Sequence, residues 1–312
     1  MAGHKKPKTR KKRKTIAIVA TIMSFIAIIA SGCVILYVVI QDDKISNDNE
    51  VVEDVKEKVV TTVVEPTTEM KSTNKYQIDE NLLRKINFGE LQSINPDAER
   101  WIYIPDTHID YYVMQEQTVD ETFYLYRDIY KESSSWGSIL NPKEPMDFDD
   151  AHLLFFGHKM TNREVGFGCL RNCYSTAEDA ENYKYIYVYY PDRAERWVVW
   201  TAIKGDENDM VYDIPYQIDT DKYQELINDL QSKGMYELVE TPTKDTYTIV
   251  LSTCNGPYGG SPARFQVVAV PEACYYYKTK TLEKGKYYEH ENEVPDESDT
   301  KQADKAKAQT DK

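Results

Sequence analysis

Residues 246–270 read TYTIVLSTCNGPYGGSPARFQVVAV. Two runs of apolar and β-branched residues, Thr246–Ser252 and Phe265–Val270, flank a stretch holding three glycines and two prolines. Such a pattern reads as two strands joined by a long turn. Six other short runs share it: Trp101–Ile104, Ile109–Met114, Ser138–Leu140, His152–Phe156, Tyr185–Tyr190 and Trp197–Ile203. Each is bounded by Pro, Gly, Asp or Asn. About eight strands with few strand–helix alternations predict a mainly β fold, a barrel or sandwich carrying peripheral helices, and not a doubly wound sheet. One interior helix stands out at 219–233, where Tyr223, Leu226, Ile227 and Leu230 recur at i, i+3, i+4 and i+7 and Gly234 is placed to stop it. A second helical region runs from Gln77 to about Ile94.

Outside the strand-rich window, charge decides the organisation. The 312-residue chain has a formal net charge of −14, yet its first fourteen residues hold eight bases and no acid, which leaves −22 on the rest. An acidic body lacks the cationic face that displaces counterions from a nucleic acid, so no nucleic-acid partner is expected. Ile16–Ile40 carries no charged residue over twenty-five positions, more than the roughly 20 that span a bilayer. Bases before it and Asp42 and Asp43 after it place the N-terminus in the cytoplasm and the body outside, held to the membrane lipid by one helix. The run is longer than the apolar region of a cleaved signal peptide. The expected organisation is a basic segment 1–15, a transmembrane helix 16–40, a stalk 41–75 with little sustained periodicity, a folded domain 76–283 and a disordered polar tail 284–312.

Five cysteines exclude a disulfide-dense scaffold. Cys254 closes the alternating strand YTIVLSTC, a position from which a thiol reaches a substrate, although a buried structural cysteine fits as well. Its partners matter. His158 follows LLFFG at the end of another apolar strand, where the preceding glycine is read as letting the backbone turn and present the imidazole. A histidine beside a thiol supplies thiolate and then protonates a leaving amine. Arg264 opens the strand returning from the Cys254 loop, and a permanent guanidinium there stabilises a thiolate or an oxyanion. His152, at the start of its strand, is expected to point to the opposite end. Cys169 and Cys173 share a helical face, but no cluster supplies two further ligands, so no metal is expected.

Leu251-Ser252-Thr253-Cys254 with Arg264 ten positions on and Gly157-His158 upstream resembles the sortases, membrane-anchored cysteine transpeptidases of Gram-positive bacteria. The ordered blocks AERWIYIPDTHIDYYVMQ, FYLYRDIY, WGSIL and LLFFGHKM resemble class B members over residues 76–280. The resemblance implies an eight-stranded sortase barrel with peripheral helices. It also implies Cys254 as nucleophile, His158 as general acid/base and Arg264 as oxyanion and substrate stabiliser. Ser252 and Thr253 are implied as hydrogen-bonding residues at the acyl site, and Leu125 and Tyr212 as lining the signal groove. Arg100 stands where a glycine is usual, Tyr112 replaces a proline, and Asn141-Pro142-Lys143-Glu144 replaces an acidic stretch; these bear on groove shape.

The implied reaction uses no cofactor. Cys254 cleaves a C-terminal sorting signal of an exported surface protein, and an amine of the peptidoglycan precursor or cross-bridge resolves the acyl-enzyme. Two rivals are a pilus-assembling sortase, whose amine is a pilin lysine, and an inactive membrane-tethered receptor or scaffold. A papain-like peptidase fits less well, since its cysteine opens a helix.

Overall fold

The computed structural model describes residues 9–61, 80–115, 120, 122–142, 151–160, 164–213, 216–256, 261–279 and 281–284. It divides into two compact units, Met1–Asn47 and Asp48–Lys312. The expected tail 284–312 lies outside the described residues from 285 onward. Helix α1 (Thr9–Val59) supplies the first unit. Its apolar side chains from Ile22 to Ile40, Phe25 and Leu36 among them, stand exposed, and the helix is long and apolar enough to cross a membrane. Residues 41–59, expected to lack sustained helical periodicity, continue α1. Val52, Val55 and Val59 are buried within the second unit, so tertiary packing stabilises a weak local pattern.

In chain order the second unit continues with β1 (Val60–Thr61), α2 (Glu80–Leu83), β2 (Lys85–Ile86), α3 (Phe88–Ile94), β3 (Ala98–Tyr103) and β4 (Asp110–Met114). Next come a 3-10 turn at Phe123–Tyr126, β5 (Ile139–Leu140), β6 (His152–Phe156), α4 (Leu170–Tyr174), α5 (Ala177–Asn182), β7 (Tyr185–Tyr189) and β8 (Arg193–Asp206). A second 3-10 turn at Met210–Tyr212 precedes α6 (Asp221–Lys233), β9 (Thr248–Cys254), β10 (Ala263–Tyr276) and β11 (Thr281–Lys284). The expected helix over 77–94 is two short helices. Asn87 caps the second by accepting from the Glu90 amide, and its own amide donates to the Val59 carbonyl while β2 pairs with β1. A cap and a strand partner there satisfy the backbone better than continuing the helix would.

Eight strands close on themselves in the order β10-β8-β7-β3-β4-β5-β6-β9, with β9 returning to β10. Strand β11 takes the edge of β10 that β9 leaves. Closure removes the open edges a sheet would expose. The pairs β4–β5 and β6–β9 are parallel and the rest antiparallel. Strands β8 and β10 each run fourteen residues, longer than the apolar runs foretold. Pro271, which has no amide to give, falls at a bulge of β10.

Helix α6 lies where the periodicity places it. Thr220 caps it through its hydroxyl, and Tyr223, Leu226, Ile227 and Leu230 pack with Leu154, Trp200, Val250 and Val268. Each such side chain contributes about 1.5–3 kcal/mol by leaving water. The Tyr223 hydroxyl lies 2.7 Å from the Thr246 carbonyl and 2.9 Å from the Thr248 hydroxyl, tying the helix to the start of β9.

Candidate active site

Strand register pairs two of the three residues singled out by the sequence and brings the strand that leads to the third alongside. Strands β9 and β10 set Cys254 directly opposite Arg264, and Ser252 opposite Gln266. Strands β6 and β9 run parallel with Phe156 beside Ser252. Gly157, next in the chain, donates its amide to the Ser252 carbonyl at 3.1 Å, and His158 follows it. Directly opposed across β9 and β10, Cys254 and Arg264 share one face of the sheet, and the end of β6 that leads to His158 lies on the other side of β9. The same face continues inward through Leu154, Val250 and Val268 to α6. His152 stands at the far end of β6, buried and bonded through Nδ1 to the Thr248 hydroxyl at 2.8 Å.

Gly157 fixes the end of β6 differently from the sequence expectation. Its φ is not left-handed; what it supplies is room. A Cβ there would lie 2.6 Å from Ile139 Cδ1 and 2.7 Å from the Phe167 ring. Its amide donates to the Ser252 carbonyl at 3.1 Å, and its carbonyl accepts from the Thr253 hydroxyl at 2.7 Å. Thr253 thereby acts from the face opposite Cys254 and Arg264.

The His158 ring hydrogen-bonds the Leu125 backbone and packs 5.3 Å from the Tyr126 ring. Burial lowers its pKa below the usual 6.5, partly opposed by the Leu125 bond. Its Nε2 is enclosed and meets no hydrogen-bond partner among the described residues, a costly state for an imidazole unless another group arrives. Leu125 thus touches His158 through its backbone. The Phe167 amide holds the His158 carbonyl at 3.0 Å.

Cys254 is a free, partly exposed thiol. The Arg264 guanidinium donates through Nη2 to Glu207 Oε2 at 2.8 Å and through Nη1 to the Ser261 and Ala263 carbonyls at 2.6 and 3.2 Å. Tyr212 is also placed here. Its ring stacks on Phe156, and its hydroxyl bonds Ser252 Oγ at 2.7 Å and accepts from Gln266 Nε2 at 3.1 Å. Gln266 reaches on to Asp209, which Lys233 of α6 holds at 2.9 Å. The Ser252 hydroxyl therefore braces the 206–213 turn against the sheet beneath Cys254.

Gln266, Glu207 and Tyr126 were not singled out from sequence. Gln266 was legible in principle, two positions from Arg264 on the same strand face. Glu207 and Tyr126 reach the site only through long-range folding and carry no local signal. Cys169 and Cys173 are buried free thiols; their shared hydrogen bond and burial push the Cys169 thiol up. No group of three or more His, Cys, Asp or Glu is gathered as a metal site among the described residues.

No protein-family model matches the chain. Sortase B of Listeria monocytogenes is 33% identical over 72 residues, an alignment covering 23% of this chain and 28% of that protein's length. Sortase B of Staphylococcus aureus is 25% identical over 225 residues, covering 68% of this chain and 88% of that protein. The crystal structure of Clostridium perfringens sortase B superposes with a TM-score of 0.53 at 25% identity, covering 59% of this chain and 98% of that one. The closed eight-stranded barrel and these relatives agree with the ordered sequence blocks, and together they support a class B sortase.

Proposed function

We propose that the chain is a membrane-anchored cysteine transpeptidase acting on exported proteins. The observation that carries this reading is the pairing of Cys254 with Arg264 across β9 and β10, with β6, the strand that leads to His158, paired to the other side of β9. Sortase relatives support the enzyme class, a cysteine transpeptidase. Cys254 Sγ attacks the scissile carbonyl of a C-terminal sorting signal, Arg264 faces the developing oxyanion, and His158 protonates the departing amine. A second amine, from the cell wall or from a pilin lysine, then takes the acyl group and Cys254 leaves as thiolate. Tyr212 and Leu125 border the groove for the signal, and Ser252 sets the floor beneath it. The apolar part of α1 anchors the enzyme with the body outside, where signal and acceptor meet.

The test is cleavage of a signal-peptide library by the full chain in detergent micelles. Cys254→Ala is expected to abolish acyl-enzyme and product. His158→Ala is expected to cost about 10²–10⁴-fold in rate and Arg264→Ala about 10²–10³-fold. Undiminished product from Cys254→Ala would end this reading.

A further inference from the structure

We propose that Tyr126 docks the acceptor amine as an ammonium ion over its ring, beside the imidazole that takes its proton. This assignment rests on the transpeptidase reading above. Among the described residues from Asp48 on, Tyr126 at 59% exposure and Tyr130 at 44% are the large hydrophobic side chains left in the open. Tyr126 alone of these two packs its ring against His158, 5.3 Å between centroids. The neighbouring Arg127 is occupied over Phe123 at 4.4 Å, and no described cation lies over Tyr126. Leaving a tyrosine face bare next to an enclosed, unpartnered imidazole nitrogen makes sense when a ligand covers both.

The chemistry of the acceptor matches those two groups. A primary alkyl amine with a pKa near ~10.4 arrives protonated at neutral pH, while the reactive form is the free base. An aromatic face within about 6 Å of a cation attracts it. Burial favours the neutral form of His158, and its ring lies against Tyr126, where it can receive the proton. The acidic balance of the chain after residue 14 also favours a cationic ligand over an anionic one. The step balances: the ammonium gives one proton to His158, its nitrogen bonds the thioester carbonyl carbon, the C–S bond breaks, and Cys254 departs with the electron pair. The second nitrogen proton goes to water as the amide forms.

The experiment uses the full chain in detergent micelles with a cleaved signal peptide, Nα-acetyl-lysine amide as acceptor, and the Nε-trimethyl derivative as competitor. The trimethyl compound keeps the charge and has no proton to transfer. Tyr126→Ala and Tyr126→Leu are expected to raise the acceptor KM and the competitor Ki about three- to fivefold. Tyr126→Phe, which keeps the ring, is expected to match the unaltered enzyme. Wild-type constants in either the Ala or the Leu variant overturn the assignment, as does a Phe variant as weak as Ala. Absence of Cys254-dependent cleavage in the unaltered enzyme instead overturns the transpeptidase reading, and the role of Tyr126 falls with it.

Discussion

His152 and His158 sit at opposite ends of one strand's line and meet different surroundings. Complete burial drives the His152 pKa down to about 4, against a weaker opposing bond from the Val211 backbone. In the unfolded chain the same ring titrates near ~6.5. Between those values the unfolded state holds the extra proton. The contribution of His152 is therefore fully present above pH ~6.5 and is lost as pH falls toward about 4, a loss of order 3 kcal/mol. Melting temperatures of the wild type should drop more steeply across that window than those of His152→Gln. Parallel pH curves for the two would contradict the buried-neutral assignment. His158 shifts the same way but faces the candidate site, so the same physics there serves chemistry.

At the scale of elements, the C-terminal stretch of α1 belongs to the body. Lys56 pairs with Asp110 at 3.1 Å, and Asp110 also takes Arg84 at 2.7 Å and the Trp101 indole at 2.7 Å. Asp48 accepts the Ser135 amide at 2.6 Å, and Val52, Val55 and Val59 are buried. A chain begun at residue 76 strips away those three valines and one of the cations on Asp110. Its melting temperature should lie at least about 5 °C below that of a chain begun at Asp48, given about 2–4 °C per kcal/mol for a body of this size. Equal melting temperatures would show that the segment contributes nothing. The brace Ser252–Tyr212–Gln266–Asp209–Lys233 plays the matching part at the other side of the fold, coupling α6 to the strand that carries Cys254.

For the whole molecule, charge asymmetry and the apolar helix support the proposed topology. With the eight bases of the first fourteen residues held inside, a membrane-impermeant amine reagent applied to intact cells should label Lys204 and Lys244 and spare Lys5 to Lys14. The reverse labelling would invert the proposed orientation and separate the enzyme from exported substrates. Under the proposed topology, Cys254, His158 and Arg264 face the same compartment as both proposed substrates.

Patterning alone determined the strands, the helix at 219–233 and the barrel-or-sandwich class, because alternation and helical periodicity are short-range properties that burial then reinforces. The Cys254–Arg264 pairing was legible for the same reason, since the two belong to consecutive antiparallel strands joined by one loop. The approach of the strand that leads to His158 to the strand that carries Cys254 was decided only by the parallel pairing of β6 with β9, strands 96 residues apart in register. No local periodicity encodes such a partner. Tertiary packing likewise split the helix expected over 77–94, carried α1 through Val59, and made Gly157 a matter of space instead of backbone angle. It also brought Glu207 and Tyr126 to the site, because a side chain on a turn acquires its neighbours from the closed sheet and not from its own sequence.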